Sequence, residues 1–202
     1  MEAIMQGCAA GDINGTVCTV LSNNPQARGL LTAAAAGIET SCIDHRKFKE
    51  REAFDAAVVA DLNRCTPDLV VLAGFMRILT PVFTSAFAGR LLNIHPSLLP
   101  KYPGLHTHRR ALEAGDAEAG ATVHFVTPQL DGGPPIVQAR VAVDAADTPE
   151  SLAERVMALE HIIYPLAVKW YAQGRLRLTD QGAHLDGNPL PTTGVIYTSD
   201  TL

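Results

Sequence analysis

The chain has no excess of positive charge: 16 Lys and Arg stand against 21 Asp and Glu, a formal charge of −5 at pH 7. Neutralising phosphates requires a basic face, so this balance argues against a nucleic-acid partner. No apolar run approaches the roughly 20 residues that a membrane span needs, and no signal peptide is visible. Cys8, Cys18, Cys42 and Cys65 are scattered, without any C-x-x-C spacing. That pattern speaks against structural zinc and against a disulfide framework, and reduced thiols of a cytoplasmic protein are the expectation. Repeats, low-complexity tracts and linkers are lacking too. What remains is 202 residues with 47% hydrophobic and 18% charged content, enough for one globular domain over residues 1–202.

The order of apolar patterns predicts an α/β fold. Residues 1–10 are helix-like, 16–21 are β-branched and apolar, and 25–36 form an Ala/Leu-rich helix ending at Gly37. A short strand over 38–43 precedes a helix over 47–64 with apolar spacing at Phe54, Val58 and Leu62. The run 69–73 (LVVLA) reads as a fully buried strand, bounded by Pro67 and Gly74. Short helices at 81–88 and 108–114 flank a strand at 90–94. Strands follow at 123–126 and 136–143, then a long C-terminal helix from Pro149 to about Gln173 with Glu150 near its start, and a strand at 175–178. The alternation predicts a Rossmann-like, doubly wound, mostly parallel sheet with antiparallel additions.

Chemistry concentrates where the strand 90–94 meets the Pro/Gly-rich loop NIHPSLLPKYPGLHTHRR. Asn93 and His95 are the only polar side chains between Leu91 and Pro96, two apart and therefore on one side of an extended strand. A second strand leads into Leu130-Asp131-Gly132-Gly133, which presents Asp131. An amide donor, an imidazole and a carboxylate at strand ends of one sheet suggest acyl transfer. The plainer alternative is a satisfied strand end and an ordinary Asp-Gly-Gly turn. His106, His108 and His124 could be read as a metal site, but Pro103, Gly104 and the lack of nearby carboxylates disfavour it, and no metal is expected. His106 and His108 read instead as part of a loop closing over substrates.

The segments AGFMRIL (73–79), NIHPSLLPKYPGLHTHRRAL (93–112) and GATVHFVTPQLDGGPPIVQ (120–138) closely resemble the folate-dependent formyltransferases. Among these they are most similar to the glycinamide ribonucleotide formyltransferases of purine synthesis. The likeness covers essentially the whole chain, including Glu160-His161 and the tail around Leu185. It implies transfer of a formyl group from 10-formyltetrahydrofolate, as co-substrate, to the amine of glycinamide ribonucleotide. By the same resemblance Asn93, His95 and Asp131 would be catalytic. Asn93 and His95 would stabilise the oxyanion of the tetrahedral intermediate, and Asp131 would favour and orient the charged imidazole and carry a proton through water. The folate would bond to backbone around Met76, Arg77, Ile78 and Leu79 and to the loop from Thr127 to Asp131. Leu72, Phe83, Leu91 and Val126 would form walls, and Arg51 would lie near the folate tail. Glu160 would hold the ribose hydroxyls of the ribonucleotide, with Met157 one turn away standing where polar residues are common in the family. The partners implied are these small molecules, with a monomer or homodimer in the cytoplasm and neither nucleic acid nor membrane.

One departure stands out. Members of this family open with a strand and a Gly-Ser-Asn turn that cradles the substrate phosphate. This chain begins inside what reads as the following helix, so the first strand is expected to be missing, leaving the strands at 16–21 and 69–73 with unpaired edges, poor ribonucleotide binding and low stability. Competing functions are a formyltetrahydrofolate deformylase, disfavoured by KYPGLHTH and Glu160, and a folate-binding chain without full activity. A methionyl-tRNA formyltransferase is disfavoured because the tail is not basic.

Overall fold

The computed structural model describes residues 1–198. Helix α1 (Glu2–Ala10) ends at Gly11, whose left-handed backbone (φ 81°) lets its N–H bond the Cys8 carbonyl. Then come β1 (Thr19–Ser22), α2 (Arg28–Ala35), β2 (Glu39–Cys42), α3 (Arg51–Leu62), β3 (Val70–Leu72), α4 (Pro81–Ala86), β4 (Leu91–His95) and α5 (Thr107–Glu113). The second half adds β5 (Glu118–Phe125), β6 (Pro135–Ala142), α6 (Pro149–Ala172), β7 (Leu176–Thr179), β8 (Gly182–Leu185), β9 (Asn188–Pro189) and β10 (Val195–Ile196). The expected α/β alternation is present, with a mostly parallel central arrangement and a long C-terminal helix.

The described strands form three sheets, one of them the antiparallel β7-β8-β9 at the C-terminal end. A five-stranded sheet has the order β10-β6-β5-β4-β3, with β3–β4 and β10–β6 parallel and β4–β5 and β5–β6 antiparallel. Strands β1 and β2 form a separate parallel pair. Between β1 and β3 no ladder forms; a cavity of about 590 Å³ lies there, lined by residues 13–21 and 65–73 together with α1, α3 and the end of α6. Both strands are shorter than expected: β1 starts at Thr19 rather than at residue 16, and β3 runs only from Val70 to Leu72.

Side-chain alternation divides the five-stranded sheet into two faces. Leu92, Val123 and Phe125 are fully buried under α6, in a core that also holds Leu152, Val156, Ile163 and Trp170. Leu91 turns the other way, into a smaller core with Phe54 and Val58 of α3 and Phe83 and Phe87 near α4. Helix α6 is started by a capping box in which Thr148 and Ser151 bond each other's backbone N–H, with Pro149 in its first turn. Across the sheet, the Tyr164 hydroxyl on α6 is within hydrogen-bonding distance of the carbonyls of Leu72 (2.7 Å) and Leu92 (3.0 Å). This anchors α6 to β3 and β4 beneath the site.

Other differences from the sequence reading have local causes. Strand β5 begins at Glu118, five residues before the expected start, because Ala119, Gly120 and Ala121 carry little β-propensity. Gly120 is there for closeness: a Cβ would stand 1.9 Å from the Ala139 carbonyl oxygen. The helix expected over 47–64 is trimmed by a single 3-10 turn at each side, His45–Lys47 before it and Asn63–Cys65 after it. The hairpin strands β8 and β9 and the edge strand β10 were not anticipated; four or fewer residues give too short a period to read.

Candidate active site

Strand β4 sets the site. Its register places Asn93 opposite His124 and His95 opposite Thr122 on β5, so four polar side chains line the face shared with Leu91. The loop after β5 leaves that strand at Phe125, and Asp131 at its far end turns back to the same face. Asp131 has a left-handed backbone (φ 48°), a conformation Asp tolerates better than most residues. Gly133 permits the return, since a Cβ on it would lie 1.8 Å from the Phe125 carbonyl oxygen.

The three residues expected to be catalytic are brought together. His95 Nδ1 lies 3.5 Å from Asp131 Oδ2, and both side chains are more than nine-tenths buried. His95 Nε2 donates to the Tyr102 carbonyl at 2.9 Å, which fixes a proton on that nitrogen. A proton taken up at Nδ1 therefore faces a carboxylate. Asp131 Oδ2 also accepts from the Gly104 N–H at 2.8 Å, tying the 101–106 loop to the imidazole.

Asn93 is oriented by a residue whose role sequence reasoning missed. His124 Nδ1 donates to the Phe125 carbonyl (2.8 Å), so its Nε2 is the acceptor for Asn93 Nδ2 at 3.2 Å. Burial pushes the His124 imidazole below its ordinary range and keeps the ring neutral, as an acceptor must be. One N–H of the Asn93 amide is thus spent on His124, and the other is free to donate to a ligand. His124 Nε2 also lies 3.9 Å from Asp131 Oδ1. His108, at the start of α5, is likewise lowered by burial and by the nearby His95.

A second buried network holds the loop that carries His95 onward. Thr122 Oγ1 donates to the Ser97 carbonyl (2.7 Å) and accepts from the Leu99 N–H (3.1 Å). Gln138 Nε2 donates to the Leu99 carbonyl (2.8 Å) and to Thr122 Oγ1 (3.0 Å). Thr122 and Gln138 had no signal in the sequence beyond being polar residues inside strands, which is itself the clue that β5 and β6 bury a polar network.

The residues expected around the folate divide into mouth and core. Because β3 and β4 are parallel, the loop carrying Met76, Arg77, Ile78 and Leu79 leaves the sheet at the same end as His95. Met76 and Ile78 are exposed there, as are Leu105 and Leu130 on the two neighbouring loops, so each loop around the triad offers an apolar side chain to solvent. Arg77 lies over the Phe54 ring, 5.1 Å from its centroid. Thr127 and Val126 are half-buried on the loop to Asp131, and Arg51 is exposed at the start of α3. Leu91 and Phe83 are closed into the α3–α4 core, with Leu72 packed against it, so these walls support the site from behind. On α6, Glu160 is half-buried with its carboxyl pushed up by burial, and Met157 one turn earlier is exposed. Among the described residues no cluster of three or more His, Cys, Asp and Glu is arranged to hold a metal ion, and no helix is long and apolar enough to cross a membrane.

Residues 1–168 match the formyl transferase family, and the chain belongs to it. It is 53% identical over 200 residues to phosphoribosylglycinamide formyltransferase of Escherichia coli (strain K12), covering 99% of this chain and 93% of that protein. It is 40% identical over 182 residues to the human trifunctional purine biosynthetic protein adenosine-3, covering 90% of this chain and 18% of that one. The solved phosphoribosylglycinamide formyltransferase of Coxiella burnetii superposes with a TM-score of 0.92 at 45% identity, over 98% of this chain and 93% of that one.

Proposed function

We propose that the chain transfers the formyl group of 10-formyltetrahydrofolate to the amine of glycinamide ribonucleotide, as a single cytoplasmic catalytic unit of purine biosynthesis. The observation that carries this reading is the Asn93–His95–Asp131 constellation, with the His95 and Asp131 side chains buried against each other and Asn93 held by His124, in a member of the formyl transferase family. Exposed Met76, Ile78, Leu105 and Leu130 around it suit a flat, largely apolar ring system such as a pterin.

The chemistry follows from the geometry. The neutral amine adds to the formyl carbon, and the carbonyl π electrons move to oxygen. The free N–H of Asn93 donates to that oxyanion, and the His95 Nε2–H turns to it from the Tyr102 carbonyl. The proton on the attacking nitrogen leaves through water to Asp131. Collapse of the intermediate breaks the bond to the folate nitrogen, which takes up that proton from Asp131 through water as it departs. Glu160 binds the ribose hydroxyls, its Oε atoms accepting from them.

Incubation with 10-formyltetrahydrofolate, with and without glycinamide ribonucleotide, tests the assignment. Deformylated folate is expected only when the ribonucleotide is present. Release without it would establish a deformylase, and no release in either case would leave a folate-binding protein.

A further inference from the structure

Two backbone atoms of the loop between β4 and α5 touch the catalytic pair: the Tyr102 carbonyl accepts from His95 Nε2 (2.9 Å), and the Gly104 N–H donates to Asp131 Oδ2 (2.8 Å). Tyr102 sits in the left-handed region (φ 55°), which a bulky residue rarely adopts unless its surroundings hold it there. Asp116, in the turn between α5 and β5, supplies that hold. Its Oδ2 accepts from the Tyr102 hydroxyl at 2.9 Å and its Oδ1 from Lys101 Nζ at 2.8 Å. Lys101 is exposed, so its ion pair contributes little, and the bond to Tyr102 is the arm that reaches the site. Arg110 lies over the Tyr102 ring, 5.0 Å from its centroid, and Nη1 donates to the Pro103 carbonyl at 2.7 Å. Asp116 is itself fixed by the end of α5. Gly115 turns left-handed (φ 67°), its N–H bonds the Leu112 carbonyl (3.0 Å), and the Asp116 N–H bonds the Ala111 carbonyl (3.1 Å).

We propose that Asp116 is a positioning residue for formyl transfer: by holding the Tyr102 hydroxyl it aims the Tyr102 carbonyl at His95 Nε2 and selects the ring form that carries its proton there. The inference rests on the reading of His95 as an oxyanion donor. A neutral imidazole has one N–H, and two acceptors compete for it here, the Tyr102 carbonyl at Nε2 and the Asp131 carboxylate at Nδ1. With the carbonyl displaced, the ring gains most by placing its proton on Nδ1, toward the carboxylate. Nε2 then presents a lone pair where the oxyanion forms, which repels it instead of stabilising it. Asp116 touches neither substrate nor reacting atom; it acts through the Tyr102 side chain and backbone.

The test compares the full chain with Asp116→Ala, Asp116→Asn and Tyr102→Phe by nitrogen NMR of the His95 ring at about pH 8, where histidine is ordinarily neutral, and by steady-state kinetics. The unaltered ring should carry its proton on Nε2. In Asp116→Ala and Tyr102→Phe the proton should move to Nδ1. Turnover in both should fall roughly 10–100-fold, with KM for both substrates within about twofold. Asp116→Asn, whose amide oxygen still accepts from the Tyr102 hydroxyl, should recover the Nε2 proton and most of the turnover. Tyr102→Phe keeps the ring beneath Arg110 and removes only the hydroxyl, so it decides the matter if Asp116→Ala fails to fold. A proton that stays on Nε2 in Tyr102→Phe, or one that moves while turnover holds, would overturn the proposal. If the unaltered chain transfers no formyl group, the reading of the site fails, and the His95 proton alone then decides whether Asp116 sets the ring.

Discussion

Strands β4 and β5 carry Asn93, His95, Thr122 and His124 among their apolar residues, whereas β1 and β3 are short and carry no amide or imidazole, and the two pairs end in opposite conditions. On β4 and β5, the ladder is continuous and the polar groups are matched: Thr122 joins Ser97, Leu99 and Gln138, and His124 joins Asn93 to Phe125. Between β1 and β3 there is no ladder, and a cavity of about 590 Å³ separates them. A site that must aim donors to within fractions of an ångström is placed where packing over-determines its side chains. The difference predicts that chemistry fails when the first region is altered and that stability is decided in both.

The largest effect should come from the donors themselves. Asn93→Ala or His95→Ala is expected to lower turnover on the order of 10²–10³-fold, the usual loss for one oxyanion donor, with little change in folate affinity. Steady-state kinetics checks this, and turnover within threefold of the unaltered enzyme at either position would refute the role.

Asp131→Asn keeps the left-handed turn and the bond from Gly104 but removes the charge facing His95 Nδ1. Turnover should fall about 10²-fold, with no pH at which it recovers, because the proton acceptor is lost along with the charge. A pH–rate profile that shifts sideways and regains its maximum would mean that Asp131 only orients the ring.

The buried network yields a stability effect rather than a catalytic one. Thr122→Val leaves the Leu99 N–H and the Ser97 carbonyl unmatched, a loss of about 1–3 kcal/mol, or roughly 2–12 °C in melting temperature for a chain of this size. Hydrogen exchange sharpens the contrast in the unaltered protein. Amides of β1 and β3 should exchange faster than those of β4 and β5, since one side of each faces the cavity. Equal protection in all four strands would show that the cavity is closed in solution.

How much of this was legible in the sequence depends on what fixed each residue. Asn93 and His95 stood out because alternation within one strand and the break at Pro96 are local, and Asp131 because its turn is local. The gap between β1 and β3 followed from the order of elements together with the family resemblance. His124, Tyr102, Thr122 and Gln138 were not legible as site residues. Their roles arise from cross-strand register and loop return, neither of which a single strand's pattern records. The weak β5 signal has the same origin, since Gly120 is selected by the Ala139 carbonyl of the neighbouring strand.

The smallest expected effect separates His124 from its surroundings. Its imidazole is lowered below the ordinary histidine range because burial disfavours the charged ring. The unfolded chain therefore binds a proton at higher pH than the folded one does. The stability this neutral ring confers is whole above about pH 6.5 and is lost as pH falls from there through the folded value. His108 is lowered in the same direction, also chiefly by burial, and adds to the slope. His124→Gln should flatten part of the decline in melting temperature between pH 7 and pH 5, and adding His108→Gln should flatten it further. Because the introduced side-chain amide cannot accept from Asn93 while donating to Phe125 in the same geometry, turnover should fall with the substitution even at pH 8, where neither histidine is charged. If the single variant keeps both the full pH slope and full turnover, His124 neither stays neutral in the fold nor aims Asn93, and the site must hold its amide donor by some other contact.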